Sequence, residues 1–327
     1  MMDEAQPSEL LEAEVPGELA GERADRVAAR LFAEHSRALL SRWIKSGALM
    51  VDGEAVKPNR KLSAGQRLTL TPEATPDEDW ATPQPVEFNV VYEDDQLLVI
   101  DKPAGLVAHP GAGNPDGTLV NGLLHYRCVQ IELPRAGLVH RLDQDTSGLL
   151  VVAATRQAQR RLAEAVAQHR IARRYLGIAE GVMTGGRAID KPIGRDPHHR
   201  TRQRVRGDGR PARTRVGVRQ RFRAHTYVSA ELETGRTHQI RVHLASIGHP
   251  LVGDRRYGAR GRLPRAPHPE VVLTVRGFRR QALHASELAF DHPATGERCE
   301  FRSPLPKDMA ELLAVLTLDA ETHGDER

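Results

Sequence analysis

The sequence predicts an α+β fold in two units, a small one followed by a larger one. Three observations carry this reading. The 327 residues exceed the roughly 150 that an average domain holds. Two helical periodicities near the N-terminus lead straight into short alternating segments. Later strand candidates do not alternate regularly with helices, which argues against a doubly wound parallel sheet. Between the units, residues 71–88 (TPEATPDEDWATPQPVEF) combine proline and acid without an apolar period and read as a linker.

The elements follow in chain order. Residues 1–15 are acidic and unpatterned, and are expected as a flexible tail. The first unit is expected over 16–70. Val27, Ala28, Leu31 and Phe32 share one helical face, and Leu40, Trp43 and Ile44 share the face of a second helix. Ser36 is placed to cap that helix and Gly47 to end it. Residues 48–51 and 55–56 read as a hairpin around a tight Asp52-Gly53 turn, and Gly65, Leu68 and Leu70 close the unit. Arg37, Arg42, Lys45, Lys57, Arg60, Lys61 and Arg67 give it a basic face.

The second unit is expected over 89–317, with a short charged tail at 318–327. Residues 90–92 and 97–100 flank an acidic turn as strand, turn and strand. Residues 149–154 form a six-residue apolar run of the kind a central strand needs. Thr155 is placed to cap a following helix with Leu162, Ala165, Val166 and His169. Residues 175–179, 216–222 and 226–233 are further strands.

Charge narrows the function. Lys and Arg number 47 against 43 Asp and Glu, a net +4. Residues 1–22 hold seven acids and residues 71–95 eight, with no Lys or Arg in either, so the rest of the chain stands at +19. Such a body favours polyanions, nucleic acid before membrane. Arginine supplies 41 of the cations, which suits phosphate contacts and equally suits a GC-rich genome.

Several classes are excluded. Cys128 and Cys299 are the only cysteines, too few for a disulfide framework or a Cys-based zinc site. No stretch approaches about 20 apolar residues, and the acidic N-terminus lacks a signal pattern, so no membrane partner and a cytoplasmic location are expected. There is no Gly-rich dinucleotide fingerprint and no P-loop lysine, hence no nucleotide cofactor. His238 and His243 lie five apart and on a strand would face opposite ways, unable to share a metal. Ser147 has no glycine two residues before it, so it is not a nucleophile elbow.

Three segments are dense in chemistry. Residues 137–148 (GLVHRLDQDTSG) place charged and hydroxyl groups at the mouth of the apolar run, with Gly148 permitting a tight entrance. Asp143 or Asp145 there is either a turn cap or a carboxylate held rigidly before a cleft. Residues 233–243 (ETGRTHQIRVH) read as a strand from the alternation of Ile240, Val242 and Leu244. Arg241 then lies on the opposite face, either solvated or paired with a carboxylate. Residues 195–223 hold eleven arginines and two acids, an Arg-rich loop that is either merely solvated or suited to phosphates.

His140-Arg-Leu-Asp-Gln-Asp-Thr-Ser-Gly-Leu149 resembles the signature of the RluA family of RNA pseudouridine synthases. Asp101-Lys-Pro-Ala-Gly105, His109-Pro-Gly-Ala-Gly113, Arg173-Arg-Tyr175, Thr234 to His243, Pro250-Leu-Val-Gly-Asp254 and Gln281-Ala-Leu-His284 resemble further family blocks in family order. The first unit resembles an S4 RNA-binding domain, departing from it where Arg23-Ala24-Asp25 replaces Arg-Leu-Asp. The blocks at 109–113 and 250–254 point to the branch of the family that acts on large-subunit (23S) ribosomal RNA.

The resemblance implies a mixed, mostly antiparallel sheet with flanking helices, and isomerisation of uridines in RNA without metal or cofactor. It implies Asp143 as the residue that attacks the uridine covalently, at C1′ or at C6. Tyr175 would stack on the uracil and remove the C5 proton. Arg241 would pair with the aspartate, favouring its charged form and orienting it. Arg141 would fill the stack vacated by the flipped base. In the S4-like unit, Arg37, Arg42, Lys45, Lys57, Arg60 and Lys61 would contact RNA. The expected partner is ribosomal RNA, at the stem-loop called helix 69, with a monomer as the default state. The competing reading is a non-catalytic S4-type RNA-binding or assembly factor. A hydrolase using Asp143 and Asp145 as a carboxylate pair is a third.

Overall fold

The computed structural model describes residues 10–33, 35, 37–72, 82–111, 113–199 and 201–323. The chain divides into two compact units, residues 1–78 and 79–327.

In the first unit, helices α1 (Ala24–Leu31) and α2 (Arg37–Ser46) cover a three-stranded antiparallel sheet. Its strands are β1 (Leu11–Glu14), β2 (Leu49–Val51) and β3 (Arg67–Leu70), in the order β1-β3-β2. The core is the expected set, with Val27, Ala28, Leu40, Trp43, Ile44, Leu68 and Leu70 all buried. Gly47 ends α2 at φ +87°, a left-handed value that glycine adopts without cost.

Two expectations need correction. Residues 11–14, expected within the tail, form β1, because Leu11 and Ala13 pack on the core while the acids point outward. The expected hairpin closes only a turn. Asp52 and Gly53 both adopt positive φ, but β2 pairs with β3, since the Asp52 carboxylate accepts from Arg67 N and Gln66 Nε2 at 2.8 Å. Ser36, expected as a cap, lies outside the described residues, as do 1–9 of the tail and 73–81 of the linker.

The second unit is built on a nine-stranded sheet. Its strands are β4 (Asn89–Glu93), β5 (Leu97–Lys102), β6 (Ser147–Ala153), β7 (Ala172–Glu180), β8 (Arg187–Asp190), β11 (Arg213–Arg221), β12 (His225–Leu232), β13 (Leu283–Asp291) and β14 (Arg298–Arg302). The order is β4-β5-β6-β13-β7-β12-β11-β8, with β14 beside β13. Among the described strands only the β6–β13 pair is parallel. β9 (Ile193–Arg195) and β10 (Gln203–Val205) form a separate antiparallel pair. Helices α3 (Leu119–Tyr126), α4 (Arg156–Ala167), α5 (Gln239–Ser246), α6 (Pro269–Gly277) and α7 (Lys307–Thr322) complete the unit.

The apolar run becomes β6, buried along its whole length and with a core cluster on each face, each Leu or Val contributing about 1.5–3 kcal/mol. The Thr155 hydroxyl accepts from Ala158 N and caps α4. Gly148 stands at φ +112°, and a Cβ there would lie 2.3 Å from the Ala285 carbonyl oxygen. Only glycine lets β6 begin against β13 at that point.

Four further expectations need correction. Residues 239–246 are α5, a helix rather than a strand. Residues 239–244 are all buried, so no polar face marks the helical period. The Gln239 amide also ties the segment to Arg213 O and Thr214 Oγ1 from inside, overriding the β preference of Ile and Val. The Arg-rich stretch is a loop only in part, because Arg195, Arg204, Arg213, Arg215, Arg219 and Arg221 stand in strands, and in β11 the arginines at 213 and 215 face out while Thr214 and Val216 are buried. Residues 82–88 are fastened to the second unit, with Asn121 Nδ2 donating to Thr82 O and Gly117 N to Gln84 Oε1. Residues 318–322 belong to α7, because buried Asp319 accepts from Arg223 and from His268 N.

Candidate active site

The loop of residues 137–146 is pinned from two sides before it enters β6. Val151 N donates to His140 Nε2 at 3.2 Å, so this imidazole accepts and stays neutral. Burial, then the charge of Arg173, pushes the His140 pKa down to about 3. Lys102, fully buried at the end of β5, donates to the carbonyls of Pro103, Leu106 and Gln144 at 2.8–2.9 Å. Burial pushes its pKa down to about 7, with the charge of Asp145 opposing. The third of these carbonyls adjoins Asp143, so a buried ammonium fixes the backbone that carries it.

Asp143 meets Arg241 from α5. Arg241 Nη1 donates to Asp143 Oδ2 at 2.9 Å, while Nε and Nη2 grip Asp254 at 2.7 and 2.9 Å. A single guanidinium therefore serves two carboxylates, and the bidentate grip on Asp254 fixes its plane. Burial alone would lower the Arg241 pKa, but the hydrogen bonds and charge of Asp254, then of Asp143, raise it above its ordinary value. Its guanidinium also sits 5.0 Å from the centre of the Tyr257 ring.

Asp143 Oδ1 is left open. Among the described residues its nearest ionic neighbour is His238 Nε2 at 3.9 Å, beyond hydrogen-bond range. His238 caps α5 in the left-handed region, φ +58°, with Nδ1 2.5 Å from the Tyr257 hydroxyl. That hydroxyl also accepts from Gln203 N at 3.0 Å, which holds the Tyr257 ring and, through the Nδ1 contact, the His238 imidazole beside Asp143. Burial, before any neighbouring charge, lowers the His238 pKa.

Asp143, Tyr175, Arg241 and Arg141 line one cavity of about 460 Å³. Tyr175 is buried in β7, and the residues paired with it across the sheet are Ala230 and Ala285. Two alanines beside the ring leave its flank low, which opens the hollow. Burial raises the Tyr175 pKa, so its hydroxyl is protonated at neutral pH. Asp145 does not line this cavity. Among the described residues the cavity is lined by five arginines (141, 173, 210, 236 and 241) and one carboxylate, Asp143.

The six cations assigned to RNA in the first unit, Arg37, Arg42, Lys45, Lys57, Arg60 and Lys61, are all exposed. Arg37 is also engaged internally, its Nη2 donating to Asp25 at 2.6 Å. The sequence reading gave no role to Asp254, Tyr257, Lys102 or Arg173. Asp254 and Lys102 stood inside recognisable blocks, and Arg241's need for an anion was the signal that could have pointed to a second carboxylate.

Such a fold, with an aspartate fixed by an arginine beside a tyrosine buried on an inner strand of a mixed sheet, defines an RNA pseudouridine synthase. Residues 96–246 match the RNA pseudouridylate synthase family model, and residues 22–68 match the S4 domain. The chain belongs to the RluA family of RNA pseudouridine synthases and carries an N-terminal S4 domain. It is 50% identical over 309 residues to ribosomal large subunit pseudouridine synthase D of Pseudomonas aeruginosa, covering 94% of this chain and 96% of that one. The protein of the same name from Xanthomonas campestris pv. campestris is 49% identical, with 96% and 94% covered. That of Escherichia coli K12 is 46% identical, with 94% of each covered. Among solved structures, human RNA pseudouridylate synthase domain containing 1 superposes with a TM-score of 0.52 at 25% identity, over 68% of this chain and 84% of that one.

No described helix is long and apolar enough to cross a membrane.

Proposed function

We propose that this chain isomerises uridines to pseudouridine in 23S ribosomal RNA, in the cytoplasm, with Asp143 as the nucleophile. The observation that carries the reading is the state of the Asp143 carboxylate. One oxygen is held by Arg241, and the other is open in a cavity floored by Tyr175. The substrate match rests on relatives named for the large ribosomal subunit, with 94% or more of their length covered.

The reaction moves atoms without adding any. The C1′–N1 bond breaks, the uracil turns, C5 bonds to C1′, the C5 proton leaves and N1 gains one. Asp143 Oδ1 bonds to the flipped uridine, either at C1′, displacing N1, or at C6, and that bond breaks again when C5 joins C1′ or by elimination from C6, so the carboxylate is regenerated. Arg241 holds the carboxylate in place and Asp254 holds Arg241. Because burial keeps the Tyr175 phenol protonated at rest, its first contribution is a flat apolar face for the uracil. To take the C5 proton it must release its own in the same step. Arg141, exposed at the rim, occupies the gap left by the flipped base. The exposed cations of the S4 domain hold the surrounding RNA, with helix 69 as the target stem-loop and the chain acting as a monomer.

The test is tritium release from a 23S ribosomal RNA transcript labelled at uridine C5. Release with the wild-type chain is expected. RNA binding without any release would favour a non-catalytic RNA-binding or assembly factor, and free uracil would point to a hydrolase.

A further inference from the structure

Arg173 stands in β7, two residues before Tyr175 and on the same side of the strand, about 7 Å away along it. It is only 7% exposed, and its Nε is buried without any hydrogen-bond partner. None of its guanidinium nitrogens is within ion-pair or hydrogen-bond distance of a described carboxylate. The other arginine that is buried among the described residues, Arg241, holds Asp254 and Asp143, and the half-buried Arg223 and Arg280 hold Asp319 and Asp308. A desolvated guanidinium without an anion is unfavourable in the empty protein.

The surroundings keep this cation in place and open to the cavity. Arg173 lines the same hollow as Asp143 and Tyr175. Gly235 lies against it, and a Cβ there would come within 3.1 Å of Nη1 and 3.2 Å of Nη2. The backbone at 235 therefore packs on the guanidinium edge, and the only carboxylate in the cavity, Asp143, is already held by Arg241.

We infer that Arg173 is a binding site for a backbone phosphate of the flipped nucleotide, the missing anion being supplied by the RNA. A phosphate suits this cation because a charge-assisted N–H···O bond to it supplies the counter-charge that no described carboxylate provides. If the uracil lies on Tyr175, the neighbouring phosphate falls along β7 toward Arg173. The inference rests on the Asp143 cavity being the uridine site, and it adds a second recognition point beyond the base itself.

Three variants test it on the full chain: Arg173→Gln, Arg173→Met and, as control, Asp143→Asn. Each is assayed by tritium release from 23S transcript across a salt series and by thermal melting. The Arg173 variants are expected to raise KM about ten-fold or more with kcat within about three-fold. The slope of log KM against log salt should fall by about 0.7, one phosphate in single-stranded RNA. Their melting temperatures should equal or exceed that of the wild type, because an unpaired buried cation has been removed. A lower melting temperature would make Arg173 a structural residue and overturn the inference. So would an unchanged KM and salt slope, or a loss confined to kcat, which would put the guanidinium on the reacting base. Activity in Asp143→Asn would instead refute the underlying site, whatever the Arg173 variants do.

Discussion

In the S4 domain the cations assigned to RNA are exposed, and among the described residues the buried carboxylate, Asp25, pairs with Arg23 and with one of those cations, Arg37. Around the Asp143 cavity the arrangement is reversed. Arg241 and Arg173 are buried, one saturated with two carboxylates and the other with none. Exposed charges are screened within about 10 Å at 0.1 M salt, so they attract an RNA broadly and add up one by one. Buried charges are barely screened. They act by fixing positions, and removing one member leaves the next misplaced. The same arginine-rich composition thus yields capture in one region and orientation in the other.

The largest expected effect breaks the buried side alone. Asp143→Asn should lower kcat by at least about a thousand-fold, while RNA affinity stays within about three-fold, because a near-isosteric amide removes a nucleophile and no RNA-binding cation. Single-turnover tritium release and filter binding measure the two. Equal losses in both would make Asp143 part of the binding surface.

Asp254→Asn comes next. It halves the anionic complement of a buried guanidinium without touching the cavity floor. A stability loss of about 3 kcal/mol is expected from breaking such a pair. kcat should fall about a hundred-fold as Arg241 loses the grip that fixes its plane and closes on Asp143, which then no longer stands in position to attack. Denaturant unfolding and steady-state rates are the measurements, and full activity at reduced stability would detach Asp254 from the chemistry.

The exposed side should respond more mildly. Arg42→Ala with Lys45→Ala removes two cations three residues apart on α2, on one helical face. The dissociation constant for 23S transcript should rise about three- to ten-fold, and the salt slope should drop by about 0.7 for each cation lost, with kcat unchanged. An unaltered salt slope would take this helix out of the RNA interface.

How far the sequence could carry this comparison depended on the kind of signal. β6 was legible because six consecutive apolar residues have few alternatives, and α4 because Thr155 supplies its cap. α5 was not, because a helix buried on all sides loses its polar face and its β-branched residues mimic a strand. The Asp143–Arg241 pairing was legible through the resemblance. Asp254 was not, since a carboxylate that completes a buried network carries no local pattern. Nor was the lack of a described carboxylate beside Arg173. A cation's lack of a partner is a property of three-dimensional neighbours, and a sequence with 47 cations and 43 acids shows no shortage of them.

A change of pH, with no change of residue, separates the two regions by acid. In the second unit, His140 and His225 are neutral in the fold. Burial pushes their pKa values down to about 3 and about 4, against about 6.5 in an unfolded chain. The unfolded form therefore takes up protons first. Their stabilising contribution is present above pH 6.5 and is lost as pH falls from there toward 4. In the S4 domain the relevant group is Asp25. Burial would raise its pKa, but Arg37 and Arg23 together hold it below the ordinary value. Its contribution survives until the pH falls below about 3.8, later than the histidines. Hydrogen exchange read at β6 and at β3 between pH 7 and pH 4 should show protection falling at β6 while β3 holds. Parallel loss at both would mean that the two regions unfold as one, and that the division between exposed capture and buried orientation does not extend to stability.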